Sequence, residues 1–180
     1  MPGMIYCRIV HKKFDNMSRP FHMPNSAAVS RLIAGICILL SPMLKAQEEI
    51  RKANFNLHNG VAIDGYDPVS YLADQRAVEG KKSLSLTHQG VTYYFSTQSH
   101  RDAFKADPAK YEPAYGGWCA FAMGDSGEKV EIDPETFKIV DGKLYLFYNK
   151  FFNNTLTSWN KDETRLKASA DKNWKLATQR

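Results

Sequence analysis

Residues 137–148, FKIVDGKLYLFY, constrain the fold more than any other stretch of the 180-residue chain. Two alternating apolar runs flank Asp141-Gly142, a pair that accepts the two positive φ values of a type I′ turn, so a β-hairpin is predicted here. KSLSLTHQGVTYYF repeats the pattern: Leu84, Leu86 and His88 alternate with polar residues, Gln89-Gly90 turns, and Val91, Tyr93 and Phe95 return on one face. STQSHRDAFKADP opens on cap-competent Ser96 and Thr97 and stops at Asp107-Pro108, which predicts a short helix with Ala103 and Phe104 inward and Ser96 as its cap. VAIDGYDPVSYL reads as a short strand, a turn at Gly65 to Pro68, and a helical turn with Val69 and Leu72 inside. Asp64 and Asp67 are expected to hydrogen-bond that turn. From Asn149 the chain reads as helix, with Trp159, Leu166 and Trp174 covering a sheet. The fold class expected is α+β, a small antiparallel sheet of hairpins with short helices and a C-terminal helix packed on it.

The first part of the chain reads as an address. Residues 31–46, RLIAGICILLSPMLKA, put about a dozen mostly apolar residues behind a basic lead, too few for the roughly 20 that cross a bilayer. A signal peptide over 1–46 is expected, with cleavage near Ala46 and a true start at Met1, Met17 or Met23. Ile36 precedes Cys37 where a lipoprotein would carry a small residue. Segment 1–46 holds six of the 24 Lys and Arg and one of the 19 Asp and Glu, leaving 24 − 6 = 18 against 19 − 1 = 18. The mature part is formally neutral, so a nucleic-acid footprint is not expected. Residues 47–56 read as a polar lead-in and 57–178 as one domain, exported to the periplasm or the medium, with no membrane segment in its mature form. Cys7 and Cys37 leave with the signal, so Cys119 is a free thiol in an oxidising compartment.

GYDPVSYL, GVTYYFSTQSHRDAFKADPAKYEP, YGGWCAFAM and DGKLYLFYN, in this order over residues 57–176, resemble the YHS domain family, in particular its exported single-domain bacterial members. In metal-binding YHS and related domains a cysteine follows Asp-Pro-Val, and two more lie four apart after the aromatic strand. Those positions map to Ser70, Ser96 and His100 of this chain. A neutral serine hydroxyl is a poor ligand for ions that thiolates select.

Three readings of the site follow. His100, Cys119 and Met123 are the candidate metal ligands, a sulfur-rich set with an imidazole that suits copper(I) or another soft ion. Cys119 follows Gly116-Gly117-Trp118 near an expected helix start, where backbone N–H groups favour a thiolate. On this reading the chain is a non-enzymatic binding module whose partner is a metal ion or a protein. Alternatively the domain is a metal-free structural or interaction module, Cys119 a small core residue and His100 a packed histidine whose ring nitrogens bond to backbone or to Ser96. In the third reading Cys119 is a redox or nucleophilic thiol with His100 as its base. His58 and His88 have no patterned partner, and His88 is expected to face solvent. Some of the aromatic series, Tyr71, Tyr93, Tyr111, Tyr115 and Trp118 among them, are candidates to line a pocket.

Overall fold

The computed structural model describes residues 43–179, all within one compact unit of the chain, Ser41–Arg180. The unit is α+β. β3 (Lys81–His88) and β4 (Val91–Phe95) form the first expected hairpin, closed at His88↔Val91. β5 (Asp133–Val140) and β6 (Lys143–Phe147) form the second, with Asp141 at φ 51° and Gly142 at φ 72°.

The four-stranded sheet is mixed where an antiparallel one was expected. β1 (Leu57–His58) and β2 (Val61–Ala62) add to the first hairpin in the order β1-β2-β4-β3, and β2 runs parallel to β4 at Val61↔Thr92. The cause is the crossover: after β2 the chain takes a 3-10 turn at Ile63–Gly65, passes through α2 (Ser70–Ala73) and enters the sheet again at its far edge as β3. The hairpin then brings β4 back beside β2 in the same direction.

β6 divides the interior. Successive strand residues point to opposite faces, so Leu144 and Leu146 join a core of Val69, Tyr71, Val91, Tyr93, Phe95, Phe104 and Cys119. Tyr145 and Phe147 face a second core of Ala120, Met123, Trp159, Leu166 and Ala170. The expected inward face of β4 is fully buried, and its rings meet Phe104 of α3 (Gln98–Ala106) at 4.6 Å from Tyr93 and 5.3 Å from Phe95. Each such side chain contributes about 1.5–3 kcal/mol by leaving water. α4 (Pro108–Tyr111) starts on a proline, which fits a first helical turn because the missing N–H has no partner there. α5 (Ala120–Asp125), α6 (Thr155–Trp159) and α7 (Glu163–Thr178) enclose the second core. Between β6 and α6 lies a small hairpin, β7 (Asn149–Lys150) with β8 (Asn153–Asn154).

Residues 43–54 are helical and form α1, where the sequence reads as the end of a signal and a polar lead-in. Ala46 lies within this helix; residues 1–42, with most of the apolar segment 31–46, are outside the described part. Polar contacts dock α1: Arg51 pairs with Glu112, and its guanidinium lies 4.2 Å over the Phe55 ring. Trp118 Nε1 donates to the Asn54 carbonyl at 2.7 Å, and the Asn56 N–H donates to Gly116 O at 2.9 Å. Gly116, at φ 62°, leaves little room for a side chain: a Cβ would lie 3.0 Å from Trp174 Cη2 and 3.2 Å from Asn54 O. The first and last described helices therefore meet over this glycine. Among the described residues no helix is long and apolar enough to cross a membrane.

Candidate functional site

The three positions singled out by the family resemblance meet at Asp67. Thr97, one residue beyond the expected cap, starts α3 by accepting the His100 N–H at 3.1 Å. This frees Ser96, whose hydroxyl and backbone N–H both donate to Asp67 Oδ2, at 2.6 and 2.8 Å. His100 Nδ1 donates to the same oxygen at 2.7 Å. Asp67 Oδ1 accepts the Val69 N–H at 2.9 Å, the local turn contact expected from the sequence, and the Ser70 hydroxyl donates to the Asp67 carbonyl at 2.8 Å. Asp67 is fully buried. A buried carboxylate is costly unless its lone pairs are answered, and here four donors answer them.

The same geometry limits the chemistry. In a hydrolytic triad the carboxylate and the hydroxyl hold opposite ring nitrogens of the histidine. Here Ser96 Oγ lies 3.3 Å from Nδ1, the nitrogen already bonded to Asp67, while Nε2 faces Asp74 Oδ2 at 3.8 Å. Ser96 is a donor to Asp67 and has no base behind it. The two carboxylates lie on opposite sides of the imidazole and do not converge on one point.

Cys119 precedes α5, as expected, and is fully buried. Its Sγ accepts the Tyr148 N–H at 3.4 Å and lies 3.4 Å from Thr155 Oγ1. The Thr155 hydroxyl donates to the Tyr148 carbonyl at 2.9 Å, so the thiol proton is the one that points at Thr155. Both hydrogen-bonding capacities of a neutral thiol are met. Met123 is also fully buried but belongs to the second core, beside Phe147, Trp159 and Leu166, whereas Cys119 belongs to the first. No hydrogen bond or ion pair joins His100 to Cys119 or Met123 among the described residues. There, too, no three His, Cys, Asp or Glu side chains come together to hold a metal ion.

The remaining candidates fall in separate places. His88 is half-buried and meets Phe104 edge to face at 6.2 Å, where solvent exposure was expected. The β3 end carries it over the start of the core. His58 is exposed, 3.6 Å from Asp64. Of the aromatic series, Tyr115 lines a cleft of about 450 Å³ together with Arg51, Glu112, Lys143, Asp171 and Trp174. Its acids are already engaged: Glu112 by Arg51 and by the Tyr93 hydroxyl at 2.8 Å, Asp171 by the Tyr115 hydroxyl at 2.8 Å and Lys167 at 3.0 Å. Burial pushes both tyrosine hydroxyls up, with the neighbouring carboxylates adding to it, and burial lowers Lys143. Lys143 donates to Ala109 O at 2.9 Å. Asp67, Ser96, His100 and Cys119 take no part in this cleft.

Sequence reasoning had Asp67 as a turn residue only; its role as the common acceptor was missed. The local signal, an Asp two residues before the Val69 N–H, is present, but the Ser96 and His100 contacts span 29 and 33 residues. Comparison with protein families, with curated proteins and with solved structures finds no match to this chain.

Proposed function

We propose that this chain is an exported, non-enzymatic YHS-like module that acts as a metal-free interaction domain. The observation that carries this reading is the convergence on Asp67: Ser70, Ser96 and His100, which would be ligand positions in a metal-binding relative, spend their polar atoms on one buried aspartate and its neighbours. The candidate soft ligands support it as well, since Cys119 and Met123 are enclosed in different cores. Export is supported by the apolar segment 31–46 behind its basic lead.

Metal analysis of protein purified without chelator, followed by thermal melting with and without a chelator, tests the reading. A metal-free protein with an unchanged melting temperature is expected. Stoichiometric metal, or marked destabilisation by the chelator, would sink it. A copper(I) titration against a competing chelator, run on the parent and on Cys119→Ala, separates the soft-metal reading: tight binding lost in the variant would restore Cys119 as a ligand. The export part is read independently by the N-terminal mass of protein recovered from cells, which should begin after Ala46.

A further inference from the structure

Four hairpins of this fold are closed by two-residue turns, and one of them departs from the others. Asn59-Gly60, Gln89-Gly90 and Asp141-Gly142 hold both residues at positive φ: 53° and 80°, 47° and 83°, 51° and 72°. Each ends on glycine, the residue for which this conformation carries no Cβ penalty. The fourth turn joins β7 to β8 between Lys150 and Asn153, with Phe151 at φ 52° and Phe152 at φ 63°. A bulky residue in this region is an outlier, and two in succession work against the fold. Packing does not offset them, because Phe151 is 89 % and Phe152 111 % exposed.

We propose that the Phe151-Phe152 tip inserts into a lipid bilayer surface and docks the domain there. Strain and exposure both oppose folding, so the use of these rings lies outside the fold. The shape of the tip selects the partner. It is convex, two adjacent rings on a two-residue turn, and Asn149, Lys150, Asn153 and Asn154 border it. A protein interface of ordinary size needs an apolar centre and a rim of about 800 Å² on each partner. Two rings bordered by asparagines do not supply that centre. A bilayer asks for less: aromatic rings sink about 5–10 Å to the boundary between headgroups and acyl chains, and amides and an ammonium remain at headgroup level. Lys150 supplies the ammonium, but Asp64 and Glu131 line the same hollow beside it. Ring insertion, more than charge, therefore drives docking.

Flotation of the full chain with phosphatidylcholine vesicles tests this, paired with the double variant Phe151→Asn/Phe152→Gly. The variant installs the chemistry of the other three turns, so its melting temperature should match the parent's or exceed it by about 2–6 °C. The ratio of bound to free protein should nevertheless fall about tenfold or more, and parent binding should survive high salt. Read as the difference from the parent, whose three tryptophans also emit, Phe152→Trp should show blue-shifted emission on vesicles and quenching by brominated acyl chains. Equal flotation of parent and double variant would overturn the proposal and leave vesicle binding to the apolar segment 31–46. Binding that appears only with phosphatidylglycerol and vanishes in salt would also overturn it. Self-association that the double variant abolishes, without Phe-dependent flotation, would assign the tip to a second copy of the chain.

Discussion

Asp67 and Cys119 are both fully buried, and each carries a group that can bind a metal ion, yet the molecule treats them in opposite ways. Asp67 draws donors from its own turn, from the end of β4 and from α3, so three separate segments close on one carboxylate. Cys119 has one N–H and one hydroxyl, both from the stretch around β7 and α6, and otherwise apolar walls. A buried anion needs several donors to stay in place. A neutral thiol needs almost none and packs like a small apolar group. One region carries a carboxylate answered by protein donors, and the other a thiol enclosed mainly by apolar side chains.

The largest effect that can break this contrast is expected at Asp67. Asp67→Ala leaves four donors without an acceptor and should cost about 3–5 kcal/mol in urea denaturation. A loss under about 1 kcal/mol would mean that the node holds nothing together. Ser96→Ala keeps the backbone N–H contact and removes only the hydroxyl, so about 1.5–3 kcal/mol is expected for a hydrogen bond to a charged group. Cys119→Ala should cost less, about 1–2 kcal/mol, from a small cavity and a weak sulfur contact. In peptide-mapped alkylation, Cys119 should stay unmodified in the folded protein and react fully in denaturant; rapid native labelling would show that the thiol is not enclosed.

The smallest effect belongs to a carboxylate at the surface. Glu163 pairs with Lys138 and accepts Trp159 Nε1 at 2.8 Å, and its pKa is lowered, first by the Lys138 hydrogen bond. Glu163→Gln should cost under about 1 kcal/mol at neutral pH, because solvent screens such pairs. A carboxyl depressed in the folded state stabilises above its unfolded pKa of about 4.3 and loses that contribution as pH falls through the lower folded value. Parent and variant stabilities should therefore converge in acid. A gap that widens there would reverse the sign.

The parts of this fold that were legible in the sequence are those fixed by neighbours. Asp141-Gly142 and Gln89-Gly90 specify their turns locally, and the period-2 face of Val91, Tyr93 and Phe95 specifies which side is buried. The cap of α3 was misplaced by one residue because Ser96 and Thr97 are both competent; what separates them is Asp67, 29 residues upstream. The apolar stripe of α1, Met43, Ala46, Ile50 and Ala53, faces solvent, and the helix is held instead by Arg51, Asn54 and their distant partners. The parallel pairing of β2 and β4 depends on a crossover that neither two-residue β2 nor its turn encodes. At the candidate site, the residue types were legible and their grouping was not, since His100, Cys119 and Met123 are sorted by the two faces of β6 and by Asp67 rather than by spacing.

Gly116 brings Asn54 and Trp174 to the same point, so the first and last described helices end as neighbours. The meeting point is the C-terminal end of α1, and residue 43 lies about 16 Å back along that helix. A flexible linker long enough to cover that length could join residue 179 to residue 43, and the chain could be reopened at the solvent-facing turn between Lys150 and Asn153. The packed elements would keep their places while the order in which they emerge during synthesis changed.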